Sequence, residues 1–131
     1  MSDNSLTVSD KSTLEVISKH DIGDMIKPFI REIYLFETYI AGTSHIDNQE
    51  LFESLKEGDS FILVREENKY DEMAIKVLTK NDEKLGYIPE RDNEIFSRLM
   101  DAGKKLTAKM IEKDRSGHFW QIKIGIYLVD I

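Results

Sequence analysis

The chain has 131 residues, 40% hydrophobic and 33% charged, with a formal net charge of −7 and no cysteine. That suits one globular domain with its own core and excludes disulfides, thiolate zinc sites and cysteine nucleophiles, in keeping with a reducing, cytoplasmic setting. The acidic total disfavours a generic polyanion binder; no apolar run approaches the roughly 18 residues that span a bilayer, and no signal-peptide layout opens the chain.

Residues 1–12 (MSDNSLTVSDKS) are polar and read as a flexible tail. Over residues 13–31 the apolar positions Val16, Ile17, Met25, Ile26 and Phe29 suggest short helical pieces, interrupted by Gly23 and Pro28. In "IREIYLFETYIAG" both side-chain parities are apolar at the start, which predicts a largely buried strand ending at Gly42. Asp47, with Glu50 three residues on, reads as the N-cap of a short helix. Leu51, Phe52 and Leu55 form that helix's apolar side, and Gly58 stops it.

Residues 60–65 predict a second strand, and "REENKYDEMAIKVLTKNDEKLGYIPE" a β-hairpin that supplies the third and fourth. Asn93 is placed to cap a helix with the stripe Ile95, Phe96, Leu99 and Met100, ended by Gly103. Residues 106–113 predict a fifth strand and "DRSG" a turn. The last strand has the clearest signal: Trp120, Ile122, Ile124, Ile126 and Leu128 share one parity, so they face the core, and Phe119 falls in the outward register. Six strands with two or three short helices make a mainly β, α+β chain. They fit a small barrel, OB-like or SH3-like, behind an N-terminal helical segment.

Enzymatic signatures are missing. "DAGKKLT" lacks both the first glycine and the following Ser or Thr of a phosphate-gripping loop. His20, His45 and His118 are widely separated, with no zinc-ligand spacing, and no serine lies in a GxSxG elbow. The sequence therefore predicts neither catalysis, cofactor nor metal, and a small-molecule or nucleotide hydrolase is the least favoured reading. Charge is unevenly spread: between residues 101 and 125, Lys104, Lys105, Lys109, Lys113, Arg115 and Lys123 outnumber Asp101, Glu112 and Asp114. This leaves room for a local basic surface on an acidic whole, although a solvated face explains it equally.

The loop "ENKYDEMA" admits two readings. As a turn, Asn68 tolerates left-handed backbone, Asp71 accepts a hydrogen bond from the backbone two residues on, and Tyr70 lies across the barrel rim. As a site, Tyr70 is a stacking platform worth roughly 1–3 kcal/mol per base. Its neighbouring carboxylate repels phosphates yet accepts a hydrogen bond from a hydroxyl, so the pair suits a strand end better than a strand interior.

"TYIAG" at 38–42, "LVREENKYDEMAIKV" at 63–77, "KLGYIP" at 84–89 and "LMDAG" at 99–103 together resemble the HIRAN domain, over residues 32–131. That domain occurs at the N-terminus of helicase-like transcription factor and as a small stand-alone bacterial protein. The resemblance implies an OB-like barrel, binding to the 3′ end of single-stranded DNA, and a DNA-repair or remodelling protein as partner. It implies that Tyr70 packs on the terminal nucleotide, Asp71 recognises the 3′ hydroxyl and Tyr39 contacts a second base. The family's late aromatic wedge falls at Phe119 or Trp120, and the outward register selects Phe119. Arg91, Lys104, Lys105 and Lys123 are the candidate phosphate contacts.

Three positions depart from the family pattern. Thr38 stands where an arginine precedes the first tyrosine, Glu90 replaces a basic residue with Arg91 next to it, and Lys69 replaces the proline of "NPYD". The last change is expected to alter loop stiffness more than chemistry. Two lost cations weaken binding about tenfold or more at moderate salt. A protein-interaction or regulatory module that keeps the barrel without nucleic acid is the alternative reading.

Overall fold

The computed structural model describes residues 30–130; the tail read for residues 1–12 and all but the last two residues of the helical segment read for 13–31 lie outside them, and Arg31 opens a strand rather than ending a helical piece. Six strands carry the fold: β1 (Arg31–Tyr39), β2 (Ser60–Arg65), β3 (Ile75–Leu78), β4 (Lys84–Tyr87), β5 (Lys105–Ser116) and β6 (Phe119–Asp130). A 3-10 turn at Thr43–His45 and helix α1 (Glu50–Glu53) follow β1, and helix α2 (Glu90–Asp101) follows β4. The strands form one antiparallel sheet in the order β1-β6-β5-β2-β3-β4, curled into a half-barrel.

The segment just after β1 draws the two edges together. Ile40 donates its N–H to Ile122 O at 2.9 Å, on β6, while Ala41 exchanges two hydrogen bonds with Tyr87 on β4, at 2.8 and 2.9 Å. This closure explains Gly86. A Cβ there would lie 2.3 Å from Ala41 O and 2.6 Å from Ile40 Cγ2, and its φ of +153° is one that side chains rarely adopt. The glycine lets the two backbones meet.

The period-2 reading of β6 matches its packing. Ile122, Ile124 and Ile126 are fully buried, Trp120 and Leu128 pack against the same cluster, and Phe119 is 37% exposed. The β5–β6 ribbon turns at Gly117 and His118, so only the last residue of "DRSG" lies in the turn, with Ser116 opposite Phe119. Gly117 has φ +64°, which suits a two-residue hairpin. Helix α1 is too short to hold by itself, and its Phe52 ring, fully buried, anchors it to the barrel.

Four local expectations are corrected. β1 is not largely buried: it ends at Tyr39 and runs along a sheet edge, with Ile33, Tyr34 and Phe36 all more than a third exposed. Apolar residues on both parities therefore mark an edge strand here. Asp47 does not cap α1. Gln49 precedes that helix without a side-chain cap, and its amide instead donates to Thr43 O and Ile46 O.

Asn93 does not cap α2 either, because the helix begins three residues earlier, directly after Pro89. Its buried face is Asn93, Phe96 and Ser97, so Ile95, one residue off that face, is 68% exposed. The other end of α2 behaves as expected. Gly103 N–H reaches Met100 O and Lys104 N–H reaches Leu99 O, both at 3.0 Å, the paired bonds of a glycine-terminated helix.

Candidate nucleic-acid interface

The loop between β2 and β3 is shaped by its own side chains. Asn68 Oδ1 accepts the N–H groups of Tyr70 at 2.9 Å and Asp71 at 2.8 Å. Asp71 Oδ1 then accepts Met73 N–H at 2.9 Å, two residues on. Asn68 thus works through its amide oxygen rather than a left-handed backbone; Asp82 alone among described non-glycine residues has positive φ. Arg65 fastens the far side, donating to Ala74 O at 2.8 Å and Glu72 O at 3.1 Å while its Nε meets Asp101 at 2.9 Å.

Two further contacts tie the loop to the barrel. Asp71 Oδ2 accepts Asn93 Nδ2 at 2.8 Å, and Asn93 is only 2% exposed. Asn68 Nδ2 donates to Glu66 Oε2 at 3.0 Å, the same oxygen that accepts the Tyr87 hydroxyl at 2.8 Å. Those hydrogen bonds, Tyr87 first and Asn68 second, hold the Glu66 carboxyl below its ordinary pKa.

With the backbone held this way, the Tyr70 ring projects outward, 82% exposed. Tyr70 and Asp71 line one shallow depression of about 360 Å³ with Ala41, Asn68, Ala74, Tyr87, Ile88 and Glu90. Asp71 is half-buried there. One hydrogen bond to each oxygen leaves an ionised carboxylate about two acceptor positions for a ligand. Lys69, in the family's proline position, holds its ammonium 5.1 Å from the centre of the Tyr70 ring. The substitution therefore adds a cation beside the platform, beyond the change in stiffness expected from sequence.

The other predicted residues do not form one patch. Tyr39, 44% exposed, stands two residues before Ala41 of the depression. Glu90 lines that depression, whereas Arg91 lines a different groove with Phe36 and Ile95 and pairs with Asp92 at 3.7 Å. Thr38 is buried and donates to Asp92 Oδ2 at 2.8 Å, so the position of the family's arginine is an internal tie between β1 and α2.

Lys123 is held between Glu37 at 3.2 Å and Glu112 at 3.9 Å, and its pKa is raised chiefly by the hydrogen bond to Glu37. Lys104 precedes the β5–β6 ribbon and Lys105 begins it, facing Val129, while Phe119 faces Ser116 at its other end. Eleven strand steps at roughly 3.3 Å separate those ends, so the lysines and Phe119 belong to different surfaces. The Trp120 ring, packed inward, carries Lys113 and Arg115 at 5.2 and 5.1 Å.

Sequence reasoning missed Asn93, Glu66 and Tyr87 as supports of the loop. Nothing local marks Asn93 and Tyr87, whose bonds to Asp71 and Glu66 span 22 and 21 residues, whereas Glu66 meets Asn68 only two residues away. Among the described residues no cluster of three or more His, Asp or Glu is arranged to hold a metal ion, and no helix is long and apolar enough to cross a membrane.

The HIRAN domain family model matches residues 33–129. A segment of the Fanconi-associated nuclease 1 homolog of Arabidopsis thaliana is 40% identical over 65 residues, half of this chain but 7% of that protein. A crystal structure of a protein from Lactobacillus plantarum superposes with a TM-score of 0.72 at 26% identity, covering 78% of this chain and 99% of that one. The HIRAN domain of human HLTF superposes at 0.60 with 14% identity, covering 76% and 78%, a likeness of fold. With the curled six-stranded sheet and the Asn68–Asp71 rim in place, the match over almost the whole described unit makes this chain a member of the HIRAN domain family.

Proposed function

We propose that this chain is a non-catalytic module that binds single-stranded DNA and prefers a free 3′-hydroxyl end. The observation that carries the proposal is the shared depression: an outward aromatic plate adjoins a carboxylate with acceptor capacity to spare. Tyr70 stacks on the terminal base, Asp71 accepts from the terminal hydroxyl, and Tyr39 meets the next base. A 3′ phosphate in the same place would set its charge against Asp71 and Glu90. Lys69 supplies a cation beside the Tyr70 ring, offsetting part of what Thr38 and Glu90 remove. Arg91, Lys104, Lys105 and Lys123 are more distant backbone contacts, and Phe119 is reserved for a longer strand or duplex.

Family membership supports the nucleic-acid reading, and the related segment of a nuclease homolog supports a place beside DNA-processing proteins. Fluorescence anisotropy with matched oligonucleotides ending in a 3′ hydroxyl or a 3′ phosphate tests it. Tighter binding of the hydroxyl form is expected, and equal affinities would end the proposal. One observation favours a protein-interaction or regulatory module instead: among the described residues no lysine or arginine lines the depression, while two carboxylates do. A stoichiometric protein partner that resists nuclease, with no oligonucleotide binding at low salt, would select that reading.

A further inference from the structure

We infer that Glu66 is a positioning residue for the rim: through Asn68 it sets the backbone of Tyr70 and Asp71 before any ligand arrives. The inference builds on the DNA-end reading for its consequence, but its structural content stands apart from it.

The chain of contacts is continuous. Glu66 Oε2 accepts from Asn68 Nδ2 at 3.0 Å, which fixes the amide plane of Asn68. With its NH2 group so engaged, Asn68 can aim only its oxygen at the loop, where it takes the N–H groups of Tyr70 and Asp71. Glu66 is in turn fixed by the Tyr87 hydroxyl at 2.8 Å and approached by Lys76 at 3.6 Å. Tyr87 is held by the closure bonds to Ala41 and by Lys84, whose ammonium is 3.0 Å from its hydroxyl and 4.4 Å from its ring centre. Barrel closure thus reaches the exposed ring through Tyr87, Glu66 and Asn68. Asn93 orients the Asp71 carboxylate from a separate element, so side-chain orientation and backbone order have separate supports.

Removing the Glu66 carboxylate frees the Asn68 amide to rotate and releases both loop N–H groups to water. The ligand must then order the loop as it binds. At the usual cost per immobilised side chain, that weakens binding roughly three- to tenfold.

Glu66→Ala, Glu66→Gln and wild type are compared by backbone ¹⁵N relaxation and by anisotropy with the 3′-hydroxyl oligonucleotide. Wild type is expected to show rigid Tyr70 and Asp71 amides, with order parameters of about 0.85, falling below about 0.6 in Glu66→Ala. Glu66→Gln is expected to restore order, because its amide oxygen accepts from both Asn68 and Tyr87 at the Oε2 position. A general loss of folding would lower order parameters throughout β5 and β6, and Glu66→Gln would not rescue it. If Tyr70 and Asp71 stay as rigid in Glu66→Ala as in wild type, or if the glutamine variant is as loose as the alanine, the inference is wrong. Lack of oligonucleotide binding by wild type would overturn the DNA-end reading alone and leave the relaxation result to decide on Glu66.

Discussion

Replacing Tyr70 with alanine isolates the stacking platform from the fold. The ring is 82% exposed, and the two hydrogen bonds of its loop position run through backbone N–H groups that alanine retains. Its truncation should therefore move stability by no more than about 0.5 kcal/mol, as for other surface changes. The lost stacking is worth roughly 1–3 kcal/mol, about 5- to 150-fold in affinity. Tyr70→Phe, which keeps the plate and drops only the hydroxyl, should bind nearly as wild type does. Anisotropy titrations of the three proteins against one 3′-hydroxyl oligonucleotide, with thermal denaturation alongside, give both readings. An affinity loss below twofold for Tyr70→Ala at unchanged melting temperature would refute the platform. A large loss shared by Tyr70→Phe would show that the hydroxyl, not the ring face, makes the contact.

Asp71→Ala should abolish discrimination between 3′-hydroxyl and 3′-phosphate ends. It also strands the buried Asn93 amide, costing about 1–3 kcal/mol in a urea titration. Lys69→Ala should reduce the salt slope of log K by about 1, read from anisotropy over a range of sodium chloride, whereas a joint change at Lys104 and Lys105 should leave end preference intact. Gly86→Ala should destabilise by at least roughly 2 kcal/mol, measured by thermal melting, because its Cβ meets Ala41 O at 2.3 Å where the barrel closes. Acidification should destabilise the fold in part through Glu66, whose pKa is lowered by the Tyr87 and Asn68 hydrogen bonds. That contribution is fully present above the ordinary carboxylate value and is lost as pH falls through the lowered one, since the unfolded chain binds the proton first. Urea midpoints for wild type and Glu66→Ala should therefore converge as pH falls from neutral to below the ordinary carboxylate range.

The sequence by itself determined what depends on short-range periodicity and turn chemistry. Alternation set β6 with Ile122, Ile124 and Ile126 inward, Gly103 ended α2, and the Asp71 side chain met the backbone two residues on, because each involves neighbours within a turn or a strand face. It also exposed the Tyr70–Asp71 pair as unusual. Only the tertiary structure decided that β1 is an edge, since apolar residues on both parities are compatible with a buried or a bordering strand. The same holds for Asn93, which looks like a cap until the fold brings Asp71 over its buried amide. It holds again for the basic residues, whose nearness in sequence dissolves when a 12-residue ribbon carries Lys105 and Arg115 toward opposite ends. Local pattern fixes which way a side chain points, but contacts between distant segments depend on how the sheet curls and closes, and no window of sequence contains that information.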